Sequence, residues 1–153
     1  MSEEIELARR AVACDGWRWM PGMLICPRAG DPAYRIVGVW LVEETQTSTY
    51  WKDPAIIPMR RDPIGLPDLT DPATLGCVLA LVREAWGDPL AHVAPTFEDP
   101  FRFPRVSAAH PPGLTHTGYR CWFSHDLTRW FDGDTEAAAL VAALEAAPVG
   151  GGS

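Results

Sequence analysis

TDPATLGCVLALVREAWGDP, residues 70–89, carries a helix whose two ends are both written in the sequence. Asp71 can accept a hydrogen bond from a free first-turn N–H, and Pro72 takes the first helical position, where a missing N–H costs nothing. Leu75, Val78, Leu79, Val82 and Trp86 follow at helical spacing, and Gly87-Asp88-Pro89 ends the pattern. This helix splits the chain into two strand-bearing halves, and every other segment takes its place on one side of it.

Upstream, RIVGVWLVE (residues 35–43) is β-branched, aromatic and apolar on both faces, which predicts a central strand covered on both sides. GWRWMPGMLICP (16–27) reads as two short extended pieces, 17–20 and 23–26, joined by the turn dipeptide Pro21-Gly22. Residues 44–69 hold Pro54, Pro58, Pro63 and Pro67 without a sustained period, predicting a long loop with one short strand around Tyr50-Trp51. At the start, Ser2 is placed to cap a helix with Glu3, Glu4 and Glu6 in its first turn and Arg9 and Arg10 in its last. Ile5, Ala8 and Val12 are its expected apolar stripe.

Downstream, residues 90–97 predict a strand and 98–118 a second proline-rich loop. YRCWFS (119–124) predicts a strand with Tyr119, Cys121 and Phe123 on its buried face and Arg120, Trp122 and Ser124 on the other. Asp134 is expected to cap a last helix with Ala137, Leu140, Val141 and Leu144 as its stripe. Strands in the order α-β-β-β-α-β-β-α come in runs and do not alternate with helices. The expected fold is therefore α+β, a largely antiparallel sheet of about four or five strands packed against three helices as a helix–sheet–helix sandwich. One domain is expected over residues 1–148, with a flexible Gly-rich tail over 149–153.

A chain of 153 residues with 47% hydrophobic and 22% charged residues can bury a core without a disulfide scaffold. Twenty acids against thirteen bases give a net charge of −7, which argues against duplex nucleic acid as a partner. No apolar run approaches the ~20 residues of a membrane span, and MSEEIELARR is too acidic for a signal peptide. A cytoplasmic protein without a membrane partner is expected. Cys14, Cys26, Cys77 and Cys121 show no C-x-x-C spacing and read as reduced core residues. Neither they nor His92, His110, His116 and His125 are spaced as a zinc site requires, so no metal and no cofactor is expected.

Nucleophile elbows, Walker loops, dinucleotide fingerprints and H-E-x-x-H are all absent. Ser124-His125-Asp126 sets the triad residue types side by side, but triad members must converge from separate backbone positions, so these three predict a turn. What stands out is seven tryptophans and twelve arginines against one lysine, Lys52. Indoles can stack a base and guanidinium forks can hold phosphate. The stacking candidates are Trp17, Trp19, Trp51 and Trp122; the phosphate candidates are Arg18, Arg60, Arg61, Arg120 and Arg129. Trp17 and Trp19 share one side of an extended segment with Arg18 on the other, and read as structural cover unless one faces solvent beside an arginine.

LARRAVACDGWRWMPGM (7–23), LPDLTDPATLGCVLALVREAWG (66–87) and DGDTEAAALVAALEAAP (132–148) resemble a group of small proteins encoded by phages and prophages. More distantly they resemble the phage ABA sandwich domains, with a Trp-rich opening, an LP…(S/T)D-x-A helix, a strand pair and a Thr-Ala-rich last helix. The resemblance implies a helix–sheet–helix sandwich and an accessory role in the cytoplasm of an infected bacterial host. It supplies no catalytic residue.

Three functions follow. The first is a non-enzymatic counter-defence protein that binds and sequesters a small anionic nucleotide, such as a cyclic oligonucleotide immune signal, in a pocket shared by a homo-oligomer. The second, motivated by the net charge, is an acidic inhibitor that docks on a basic site of a host defence protein. The third is a nucleotide phosphodiesterase using His110, His116 and His125, for which His116-Thr117 lacks the second H-x-T signature.

Overall fold

The computed structural model describes residues 2–27, 32–38, 40–43, 56–58, 65–98 and 115–148. Along the chain they form α1 (Glu3–Val12), β1 (Leu24–Cys26), β2 (Tyr34–Val37), β3 (Trp40–Glu43), β4 (Ile56–Pro58) and β5 (Leu66–Pro67). They continue with α2 (Pro72–Trp86), β6 (His92–Glu98), β7 (Thr115–Trp122), β8 (Trp130–Gly133) and α3 (Glu136–Glu145). The fold is α+β and its strand pairings are antiparallel. In place of one sheet there are two, a five-stranded sheet in the order β4-β3-β2-β1-β5 and a three-stranded sheet β6-β7-β8.

The helix read first from the sequence joins them. Asp71 caps α2, accepting from the Thr74 N–H at 2.8 Å and from its hydroxyl at 2.9 Å. Thr74 Oγ1 also accepts from the Leu24 N–H at 2.9 Å, and the Arg35 guanidinium binds both Asp71 oxygens at 3.0 and 3.1 Å and the Gly22 carbonyl at 2.7 Å. The cap is thus also the bolt that fastens α2 to β1 and β2. Arg35 holds the Asp71 carboxyl below its ordinary value, outweighing the upward push of partial burial. At the far end Gly87 terminates the helix, and Trp86 Nε1 donates to the Ala143 carbonyl at 2.8 Å, tying α2 to α3.

The buried core takes Val78, Leu81 and Val82 from α2, Ala139, Leu140, Val141, Ala143 and Leu144 from α3, and Ala8 and Ala11 from α1. Met23, Ile25, Ile36, Cys121 and Phe123 close it from the strands and turns. Arg10 links α1 to α3 through a two-pronged pair with Glu145 at 2.7 and 2.8 Å. No described helix is long and apolar enough to cross a membrane.

Several local expectations change. Residues 35–43 are not one strand but a hairpin, β2 turning into β3 after Gly38 with Val37 opposite Trp40. Gly38 has φ +60°, the left-handed value that a two-residue hairpin loop demands at its first position. Unbroken apolar character on either side hides that turn. Among the described residues of the hairpin, Ile36 is buried on one face, while Val37 and Trp40 on the other are 52% and 47% exposed. Residues 17–20 are not a strand, and residues 44–69 include β4 and β5.

In α1 the buried positions are Ala8 and Ala11, with Ile5 exposed, because the helix turns its smallest side chains toward α3. Ser2 caps α1 through its carbonyl, with no side-chain bond, and Thr135, not Asp134, caps α3 by accepting from the Ala138 N–H. All four cysteines are free thiols, but only Cys121 is core, its thiol pushed up to about 11 by burial; Cys26 is exposed. The strand expected at Tyr50-Trp51, the segment 99–114 and the tail 149–153 lie outside the described residues.

Candidate functional site

Strand β7 alternates as the sequence requires. Cys121 points into the core with Phe123 beyond the strand's end, and Arg120 and Trp122 point to the outer face. Strand β8 was not foreseen: it is four residues long and follows a turn-forming stretch. Its register sets Trp130 opposite Trp122 and Asp132 opposite Arg120. Those two rungs form one surface unit.

The Arg120 guanidinium makes a two-pronged pair with the Asp132 carboxylate, which holds the arginine's pKa above its ordinary value. Its carbon lies 5.1 Å from the Trp122 ring centre and 4.9 Å from that of Trp130. The two indoles are 5.9 Å apart and tilted by 47°. Trp130 remains 42% exposed. A cross-strand aromatic pair and ion pair stabilise a sheet face by roughly 0.2–1 kcal/mol each, so the ladder holds its own shape without a ligand.

At the end of β8 this face meets an open cleft of about 530 Å³, whose lining includes Glu3, Arg10, Tyr119, Arg120, Asp132 and Asp134. A second cavity of about 520 Å³ adjoins it, sharing Glu3, Arg10 and Asp134 and adding Glu4 and Glu6. Both arginines in this region already hold carboxylates, Arg10 on Glu145 and Arg120 on Asp132. The rim is therefore acidic.

The other candidate residues are distributed differently. Trp17 and Trp19 share a side, as their spacing implies, and meet edge to face at 5.6 Å, both half-buried against the core. Arg18 points away and grips Glu84 on α2 at 2.5 and 2.7 Å. Arg129 lies 5.1 Å above the Trp86 ring and 3.5 Å from Asp126. Trp51, Arg60 and Arg61 lie outside the described residues. So the structure brings Arg120 and Trp122 together and leaves Trp17, Arg18, Trp19 and Arg129 elsewhere. Each candidate arginine that is described carries a carboxylate partner.

Ser124 and His125 occupy the turn after β7, as expected, and both are collected by a residue that sequence reading passed over. Asp88, only 1% exposed, accepts from the Ser124 N–H at 2.5 Å, the Ser124 hydroxyl at 2.7 Å and the Leu90 N–H at 3.0 Å. His125 Nδ1 lies 3.0 Å from Asp88 Oδ2. Burial pushes this carboxyl up, and the hydrogen bonds from Ser124, Leu90 and His125 more than reverse the push, holding it at about 2. Ser124 donates to the aspartate and not to the imidazole, so the relay of a nucleophile triad is not assembled. Asp88 had a sequence signal, a carboxylate in a Gly-Asp-Pro helix stop, but its partner Ser124 lies 36 residues away.

No protein-family model, curated protein or solved structure matches the chain.

Proposed function

We propose that this chain is a non-enzymatic binding protein that docks a protein partner on the outer face of its three-stranded sheet. The observation that carries the reading is the Arg120–Asp132 and Trp122–Trp130 ladder, with a half-exposed indole at its edge and an acidic cleft beside it. Tryptophan and arginine are the residues most enriched at interface hot spots, where a central aromatic anchor is ringed by polar groups. The acidic rim favours a basic partner, and through the phage resemblance this matches an accessory protein that occupies a basic site of a host defence protein.

The test is affinity capture from a bacterial host with the wild-type chain and with Trp130→Ala, followed by titration of the purified pair. A stoichiometric partner that the variant loses supports the reading. Equal capture by both proteins, or no partner, overturns it.

A second reading, sequestration of a small anionic nucleotide, is favoured by the 4.9 Å approach of Arg120 to the exposed Trp130 ring. A base could stack on that indole while Arg120 exchanged Asp132 for a phosphate. Calorimetry with a panel of cyclic di- and trinucleotides separates the two: heat that Trp130→Ala abolishes selects the nucleotide, and no heat with any member removes it.

A further inference from the structure

Strand β8 is an edge of its sheet, paired to β7 on one side. Among the described residues no backbone hydrogen bond reaches its other side, and every second one of its four residues turns its N–H and C=O away from β7 toward that open edge. Edge strands left in this condition are templates for another chain, and folded proteins usually blunt them with prolines, bulges or cover. The opposite edge, β6, has such a device in Pro95 and a register shift between Thr96 and Phe97. Strand β8 contains no proline and pairs with β7 without a register shift.

Charge selects the occupant. Glu3, Glu4 and Asp134 form no ion pair among the described residues, and the cavities they line adjoin the end of β8. The two guanidiniums in the same lining, Arg10 and Arg120, are already neutralised within the chain. A second copy of this chain is a poor occupant: each molecule carries a net charge of −7, and the arginines beside one edge, already paired, offer no cation to the carboxylates beside the other.

Resting on the face assigned above, we propose that the partner contributes an extended, lysine- or arginine-bearing segment that adds to β8 as a fourth strand. Its backbone pairs with the β8 edge. Its outward side chains continue the Trp122–Trp130 surface, and the basic ones among them reach the carboxylates of Asp134 and Glu3 in the cleft that this face meets.

The probes are three synthetic decapeptides, alternating lysine–valine, glutamate–valine and lysine–proline, titrated against the full chain. Binding is read by tryptophan fluorescence and by hydrogen exchange of the β8 amides. The lysine–valine peptide is expected to bind and to slow exchange within residues 130–133. The glutamate–valine peptide should not bind, and the lysine–proline peptide, which lacks half the N–H donors, should bind at least about tenfold more weakly. Equal binding of the lysine–proline peptide, or binding without protection of β8, overturns strand addition. If Trp130→Ala also loses the captured partner in that case, the face assignment stands and only the mode of docking falls. Failure of all three peptides to bind overturns strand addition as well.

Discussion

Asp88 shows how one buried carboxylate can organise a turn. It gathers a backbone N–H from Leu90 two residues on and a backbone N–H and a hydroxyl from Ser124 36 residues on, and its charge is stable there because each oxygen is solvated by donors instead of water. Since its folded pKa is depressed to about 2 from an ordinary 3.8, its contribution to stability is fully present above the ordinary value. That contribution is lost as pH falls through about 2. Asp88→Asn should therefore lower the melting temperature by roughly 5 °C or more at pH 7. The gap from wild type should close progressively below pH 4 in calorimetric scans; a constant gap down to pH 2 would contradict the assignment. Trp130→Ala is the complementary case. An indole on an exposed rung should cost less than about 1 kcal/mol in urea unfolding, yet remove about 2 kcal/mol or more of partner binding.

Helices α2 and α3 were legible because their signals are local: a cap, a proline or acid at the start, an apolar stripe. Asp71 does more than its position announces, since the same oxygens that cap α2 also hold Arg35 from β2. Asp71→Ala should accordingly cost more than the ~1 kcal/mol typical of a lost cap, and restoring it with Asn should recover the cap but not the ion pair. Urea unfolding of the two variants reads the difference. The hairpin at Gly38 was hidden by continuous apolar sequence. With φ +60° and open space around its Cβ position, Gly38→Ala should cost only about 1 kcal/mol, a purely backbone effect. Half of the candidate site was legible in the same local way, as Arg120 and Trp122 alternate on one strand. Trp130 and Asp132 were not, because membership depends on the β7–β8 register, which no short window of sequence contains. The Trp17–Trp19 pair reads identically in sequence and proves to be packing.

At the scale of the molecule, charge and exposure are segregated. Carboxylates of α1, β8 and the turn before α3 ring two adjoining cavities, while two apolar surfaces lie on different sheets, Trp122 with the exposed Trp130 on one and the exposed Val37 and Trp40 on the other. Docking on the acidic side implies salt-sensitive binding, because raising ionic strength from about 0.1 to 1 M shortens the screening length from about 10 to 3 Å. Partner affinity should fall several-fold over that range; an unchanged affinity would point to the apolar surface of the five-stranded sheet instead. The two surfaces can be told apart in one measurement, oxidative footprinting of the tryptophans with and without the captured partner. Docking on the β7–β8 face should protect Trp122 and Trp130 while Trp40, Trp17, Trp19 and Trp86 keep their free reactivity. Protection of Trp40 with Trp130 unchanged would contradict it.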